Sequence, residues 1–285
     1  MTEPPALRVL RPGPLTTVQD EGRGGLASIG VSPSGAADRR SYRLANRLVG
    51  NAVGAPALEV TAGGLVLRAE HDVLVAVTGA PGPGALQNAS AWLRAGDELR
   101  LGTPERGLRT YVAVRGGLDV EPVLGSCSTD VLSGLGPPRL RTGDVLGVGR
   151  AAAEPPPVDV APVPPVGAAG GETVTVRVLP GPRRDWFTPD AWTRLTHAGY
   201  HVASDSNRVG VRLDGPVLER SVTGELPSEG IVRGAVQVPS SGQPLVFLAD
   251  HPTTGGYPVL AYVVDDDADL VAQLRPGDAV RFRPA

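Results

Sequence analysis

Short apolar stretches alternate with polar positions along the whole chain: Leu7–Leu10, Leu65–Leu67, Val73–Val77, Thr110–Val114, Thr173–Leu179, Pro244–Leu248 and Val259–Val264. Clusters of Gly, Pro or Asp separate them, which is the spacing of an all-β architecture. With 38 Gly and 29 Pro, helices are confined to a few windows. Asp38–Val49 places Tyr42, Ala45, Leu48 and Val49 on one face, and Gly50-Asn51 supplies a stop. Thr188–Ala198 opens with Thr188 as N-cap and Pro189 at the first helical position. Asp266–Leu274 carries Asp in its first turn and Pro-Gly beyond its end.

One phrase occurs three times: Leu93-Arg94-Ala95-Gly96-Asp97-Glu98-Leu99, Leu140-Arg141-Thr142-Gly143-Asp144-Val145-Leu146 and Leu274-Arg275-Pro276-Gly277-Asp278-Ala279-Val280. Each predicts a β-hairpin corner, with Gly-Asp leading into a strand. Arg8–Pro14 is echoed by Arg177–Pro182, so a second strand series starts after the Pro/Ala/Gly-rich stretch 151–172. That stretch has little apolar bulk and predicts a linker. The expected organisation is a β-rich half over 1–150, the linker, and a second β-rich half over 173–285.

At 285 residues and 41% apolar composition, the chain is long enough for real cores. A net charge of -3 gives no broad basic field, so nucleic acid is not an expected partner. All 27 basic residues are Arg. Without Lys there is no Walker A lysine, no Schiff-base lysine and no attachment point for biotin; a biotin group would arrive on another protein. Cys127 is the single cysteine, which points away from a disulfide framework. No signal pattern or membrane-length apolar run is evident, so a cytoplasmic protein without a membrane partner is expected.

Candidate chemistry falls in two places. In the early segment, Gln19, Asp20 and Arg23 put an amide, a carboxylate and a guanidinium within five residues. Such a set can hold an anion or orient a carbonyl, or Asp20 and Arg23 can pair to pin the loop. Ser34, Gly35 and Asp38 follow at the start of the first expected helix, where Asp38 caps or an anionic ligand binds. Gly22–Ala27 matches G-x-G-x-x-A by chance, outside any βαβ unit. The late segment offers Asn207, Arg208, Gln237, Gln243, Asp250, Thr253, Thr254 and Tyr257, with Glu229 as a carboxylate that can act as base or ligand. Thr-Thr-Gly-Gly-Tyr at 253–257 reads equally as a hairpin turn. The four histidines lack metal-ligand spacing, and no metal site is expected.

The pattern TTVQD-x-GR, then G-V-x-PSGA-x-D and LANRLVGN, resembles the start of the allophanate hydrolase subunit 2 family. That family includes one of the subunits of bacterial 5-oxoprolinase and is similar to the carboxyltransferase domain of urea carboxylase. The resemblance continues through Ala57–Gly64, Val77–Ala80, Val114–Gly117, Leu124–Asp130, Asn207–Leu213, Ser228–Gly230, Gly234–Pro239 and Thr253–Pro258. Ser32 stands where Pro is usual, and His251-Pro252 replaces a commoner Arg-Gln, which leaves substrate identity open. The resemblance implies two tandem cyclophilin-like β-barrels in a mainly β chain with a few short helices. It also implies a subunit of an ATP-dependent 5-oxoprolinase that opens the lactam of 5-oxoproline to L-glutamate. Its site would be shared with a subunit-1-like companion and a third lactam-utilisation subunit, and ATP would be handled in that complex. In that reading Gln19 and Arg23 are electrostatic donors, Asp20 or Glu229 moves protons, and Ser34, Asp38 and the late set bind substrate. The alternatives implied are a biotin-dependent carboxyltransferase acting on urea or a related amide, and a non-catalytic subunit that binds a kinase inhibitor.

Overall fold

The computed structural model describes residues 6–83, 86–151, 154, 156–162, 166–168 and 170–285. The chain is mainly β and divides into two compact units. One comprises Met1–Arg23, Ser34–Asp130 and Gly134–Val166; the other comprises Gly24–Pro33, Val131–Ser133 and Gly167–Ala285. No helix among the described residues is long and apolar enough to cross a membrane.

The first unit holds two antiparallel sheets. Strands β1 (Ala6–Pro12), β4 (Leu65–Ala69), β7 (Glu98–Arg100) and β9 (Val145–Gly147) form one, in the order β7-β4-β1-β9. Strands β2 (Leu15–Gln19), β3 (Ala57–Thr61), β5 (Val73–Gly79), β6 (Ala89–Leu93) and β8 (Arg109–Val114) form the other, in the order β2-β3-β8-β5-β6. The two-residue side-chain period sorts the second sheet's faces. Leu58, Val60, Val75, Val77, Val112 and Val114 join Leu7, Val9, Leu65 and Leu67 of the first sheet in one core. The opposite face presents Ala57, Ala76 and Ala113, small side chains that leave room for helix α1 (Arg39–Leu48). That helix buries Tyr42, Ala45 and Leu48, the face expected from its spacing. Asp38 caps it, accepting from the Ser41 N–H at 3.0 Å, and Gly50 in the left-handed region (φ 69°) ends it.

The second unit is built on seven strands: β10 (Thr173–Pro180), β11 (Gly199–Val202), β12 (Gly210–Asp214), β14 (Ala235–Gln237), β15 (Leu245–Phe247), β17 (Val259–Val263) and β18 (Ala279–Pro284). They close a barrel in the order β10-β17-β14-β15-β12-β11-β18. Closure comes through the parallel pairing of β10 with β18. A two-stranded ribbon of β13 (Glu229–Gly230) and β16 (Thr254–Gly255) lies outside the barrel order. Helices α2 (Ala191–His197) and α3 (Asp265–Val271) complete the unit.

Three local expectations need correction. Helix α2 starts at Ala191 with Asp190 as N-cap, not at Thr188, because the Thr188 carbonyl accepts the Ala191 N–H in a preceding turn. The three Gly-Asp phrases are turns, as expected: Asp97, Asp144 and Asp278 each accept the backbone N–H of the Arg three residues earlier, at 2.8, 2.7 and 2.8 Å. None of them is a hairpin: β6 pairs with β5 whereas β7 pairs with β4, the second turn leads into β9, which pairs with β1, and the third follows helix α3. Part of the Pro/Ala/Gly stretch is also tied down. Asp159 O accepts Ser90 N–H, Ala161 N–H donates to Asn88 O, and Val160 bridges to Ala89 at the start of β6. Residues 152, 153, 155, 163–165 and 169 of that stretch lie outside the described residues.

Candidate active site

In the first unit β2 ends at Gln19, and the chain leaves the sheet at Asp20. Asp20 Oδ1 accepts from Gly22 N–H (2.7 Å), Ser126 Oγ (2.6 Å) and Ser128 Oγ (2.5 Å), and Oδ2 accepts from Cys127 N–H (2.6 Å). Four donors occupy the carboxylate, so Asp20 fastens residues 126–128 to the end of β2. Arg23 does not pair with Asp20 among the described contacts. Its Nη2 donates to Ser128 O at 2.5 Å and its Nε to Val123 O at 3.4 Å, while Nη1 is buried with no partner among the described residues. Gln19 donates from Nε2 to Thr17 Oγ1 (3.0 Å) and Thr129 O (2.9 Å), and its Oε1 is likewise buried with no partner among the described residues. A buried polar atom left unpaired costs about 1–3 kcal/mol and calls for a reason, of which a missing ligand is one.

The loop carrying Ser34 and Asp38 lies against the same residues. Ser34 (φ 52°) and Gly35 (φ 95°) are consecutive left-handed residues. Ser34 Oγ donates to Thr129 O at 3.2 Å, and Ala36 N–H donates to Asp20 O at 2.9 Å. Gly136 packs so close that an added Cβ would stand 2.0 Å from Ser128 O. Gln19, Asp20, Arg23 and Ser34 therefore share one neighbourhood, organised by Ser126–Thr129, while Asp38 is engaged with Ser41 and Tyr111 at the start of α1. The sequence assigned that segment no chemical role, although three hydroxyl residues around Cys127 were a visible signal.

Within the second unit the late candidates separate into two kinds. Arg208 and Asp250 form a fully buried two-point ion pair, at 2.9 and 3.0 Å. Gln243 bonds both ways to the Gly215 backbone, and Asn207 Oδ1 accepts the Val209 N–H at 2.8 Å. These are local anchors. By contrast, the ribbon sets Glu229 opposite Gly255 and Gly230 opposite Thr254, and Ile231 N–H donates to Thr253 O. Gln237 Nε2 donates to Tyr257 O at 2.9 Å and sits 2.7 Å from where a Cβ on Gly255 would be. Glu229, Gln237, Thr253, Thr254 and Tyr257 thus share one corner, with Thr254 exposed. Arg183 binds Glu229 at its edge.

A family model described as the carboxyltransferase domain, subdomain A and B, matches residues 29–284. The chain belongs to the carboxyltransferase-domain family. It is 39% identical to a 5-oxoprolinase subunit of Escherichia coli K12, over 97% of this chain and 90% of that protein. It is 34% identical to urea amidolyase of Lachancea kluyveri over 99% of this chain, but spans only 17% of that protein. In three dimensions it resembles the Kluyveromyces lactis urea amidolyase structure, with a TM-score of 0.91 and 31% identity over 100% of this chain and 19% of that one.

The ionisable groups of this carboxyltransferase-domain chain follow their surroundings. Hydrogen bonding from Arg183 holds the Glu229 carboxyl below its ordinary value, which makes it a weak base near neutrality. Burial, with the Asp20 carboxylate nearby, pushes the Cys127 thiol up and keeps it protonated. Burial, followed by Glu59, raises Tyr111 well above the usual phenol range. Gly22–Ala27 runs into a single 3-10 turn at Ala27–Ile29, without the long helix on which a dinucleotide fingerprint relies. Among the described residues no group of three His, Cys, Asp or Glu could hold a metal ion.

Proposed function

We propose that this chain is the carboxyltransferase-type subunit of an ATP-dependent 5-oxoprolinase. It would bind the lactam of 5-oxoproline for hydrolysis to L-glutamate, in a site completed by companion subunits. The observation that carries this reading is that two buried atoms of the first unit, the acceptor Gln19 Oε1 and the donor Arg23 Nη1, have no partner among the described residues. A five-membered lactam is held cis, so its N–H and C=O lie along one edge and need one acceptor and one donor. The near full-length likeness to a bacterial 5-oxoprolinase subunit supports the same substrate class.

In this reading Arg23 stabilises negative charge on the lactam oxygen as water attacks, and Gln19 Oε1 orients the ring N–H. The C–N bond then breaks, and the ring nitrogen leaves as the amine after taking a proton. Asp20 holds the frame, because its oxygens are already occupied. The proton-transfer group and the nucleotide site are assigned to the companions. This chain has no Lys, and its Gly-rich stretch is not a phosphate cradle.

The likeness to urea amidolyase favours one other reading, carboxyl transfer to urea from biotin carried by another protein. The test is to purify the chain with its companion subunits and follow glutamate release and ATP hydrolysis with 5-oxoproline, and carboxylation with urea and a biotinylated carrier. Glutamate release that needs all subunits and falls with Arg23→Met supports the proposal. Urea carboxylation without glutamate release overturns it.

A further inference from the structure

The central sheet of the first unit carries a row of polar side chains where its neighbours are apolar. Thr17, Glu59, Tyr111 and Thr78 stand directly opposite one another across β2, β3, β8 and β5. None is more than 1% exposed. A buried carboxylate next to a buried phenol is costly unless each atom has a partner. Arg109 Nε lies 3.4 Å from Glu59 Oε1 and balances its charge. Further partners come from the row itself and from the loop before α1. Tyr111 donates its O–H to Glu59 Oε2 at 2.7 Å and accepts the Asp38 N–H at 2.8 Å, and Glu59 Oε2 also accepts the Ala37 N–H at 2.9 Å. At one end of the row Thr17 Oγ1 accepts from Gln19 Nε2. At the other, Thr78 Oγ1 donates to Ser41 O at 2.6 Å.

We infer that Glu59 and Tyr111 are positioning residues that fix the 34–38 loop, and through it the Asp20 turn and the Gln19 amide. This role rests on the lactam-binding reading above. The loop needs such a clamp because Ser34 is a non-glycine residue in the left-handed region, a conformation that persists only where the surroundings over-determine it. From the other side Ala36 N–H is tied to Asp20 O, and a Cβ on Gly35 would stand 3.0 Å from the Glu21 and Gly22 backbone. The sheet row and the Asp20 turn thus grip the loop between them. A buried polar row under a loop sets its position more sharply than an apolar surface, since a shift of the loop would strip Glu59 Oε2 and the Tyr111 oxygen of their backbone donors.

The test combines hydrogen exchange on the whole chain with steady-state rates of the assembled complex. In the wild type, the amides of Ala36, Ala37 and Asp38 should exchange as slowly as those of the core strands although they lie in a loop. Tyr111→Phe should release the Ala37 and Asp38 amides and lower kcat by about 10–100-fold with KM within about threefold, the signature of lost alignment. Tyr42→Phe, which removes a buried phenol bond to Ala55 O at 2.8 Å, serves as the control. It should lower the melting temperature by a similar amount while keeping loop protection and turnover. Fast wild-type exchange at 36–38 overturns the inference, as does Tyr111→Phe with unchanged turnover, or a fall in kcat common to both variants. A wild-type complex inert toward 5-oxoproline would defeat the functional reading alone; the exchange pattern would still decide whether Tyr111 sets the loop.

Discussion

In the first unit Arg23 and Gln19 are buried and each keeps one polar atom without a partner among the described residues, whereas in the second unit Arg208 is closed by Asp250 and Arg183 by Glu229. Residue type does not distinguish these cases, for each guanidinium lies close to groups that can accept from it. What separates them is whether folding has already satisfied the group. A neutralised pair has its interaction energy committed to the fold, while an unsatisfied buried atom holds interaction in reserve for something that arrives later. The contrast makes the early segment the better candidate for chemistry and the Arg208–Asp250 pair a piece of scaffold.

The largest expected effect tests the scaffold side. Asp250→Ala leaves a guanidinium buried without its carboxylate and should destabilise the protein by about 3–5 kcal/mol. Replacing both partners, Arg208→Met with Asp250→Leu, should recover most of that loss in urea melts. If the double variant regains stability but the complex loses lactam turnover, the pair belongs to the chemistry and the contrast fails. Arg23→Met should do the opposite. It should reduce kcat of the assembled complex by about 10²–10³-fold, the cost of one oxyanion donor. Stability should fall by only about 1–2 kcal/mol, because Ser128 O loses its charged donor while an unsatisfied buried donor is removed with it. A stability loss as large as that of Asp250→Ala would make Arg23 scaffold too. Gly136→Ala should fall between these, at about 1–3 kcal/mol, since φ is 85° and its Cβ would meet Ser128 O, the carbonyl that holds Arg23. Melting curves and the KM for 5-oxoproline, measured together, show whether Arg23 moves with that carbonyl.

Much of this was legible in the chain itself. Two-residue alternation located β1, β4, β5, β8, β10, β15 and β17, and Asp38 with Gly50 bracketed the first helix, because both signals are local. The corners at Gly96-Asp97 and Gly143-Asp144 were legible as turns. Their strands' partners were not, since pairing is decided by sheet register far along the chain. The same limit hid the groups that organise the site. Ser126 and Ser128 reach Asp20 across 106 and 108 residues, and Tyr111 meets Glu59 across 52. Sequence proximity suggested an Asp20–Arg23 pair; folding instead gave Asp20 to hydroxyls and amides and gave Arg23 to carbonyls.

Glu229 offers the smallest effect and the finest cut. The Arg183 hydrogen bond lowers its folded pKa below the ordinary carboxylate value of about 4.3. A group with a depressed folded pKa adds stability above its unfolded pKa, and that contribution disappears as pH falls through the folded value. The contribution is therefore intact at neutrality and lost only in acid. Glu229→Gln should flatten the acid end of the stability profile and scarcely move the neutral melting temperature, because the ion pair is partly solvated. Melting curves taken from pH ~7 down through pH ~3 would show it. Should Glu229→Gln instead abolish turnover at pH ~7 while leaving melting untouched, this carboxylate would be a reacting group despite its partner. Satisfaction by folding would then no longer separate scaffold from chemistry in this protein.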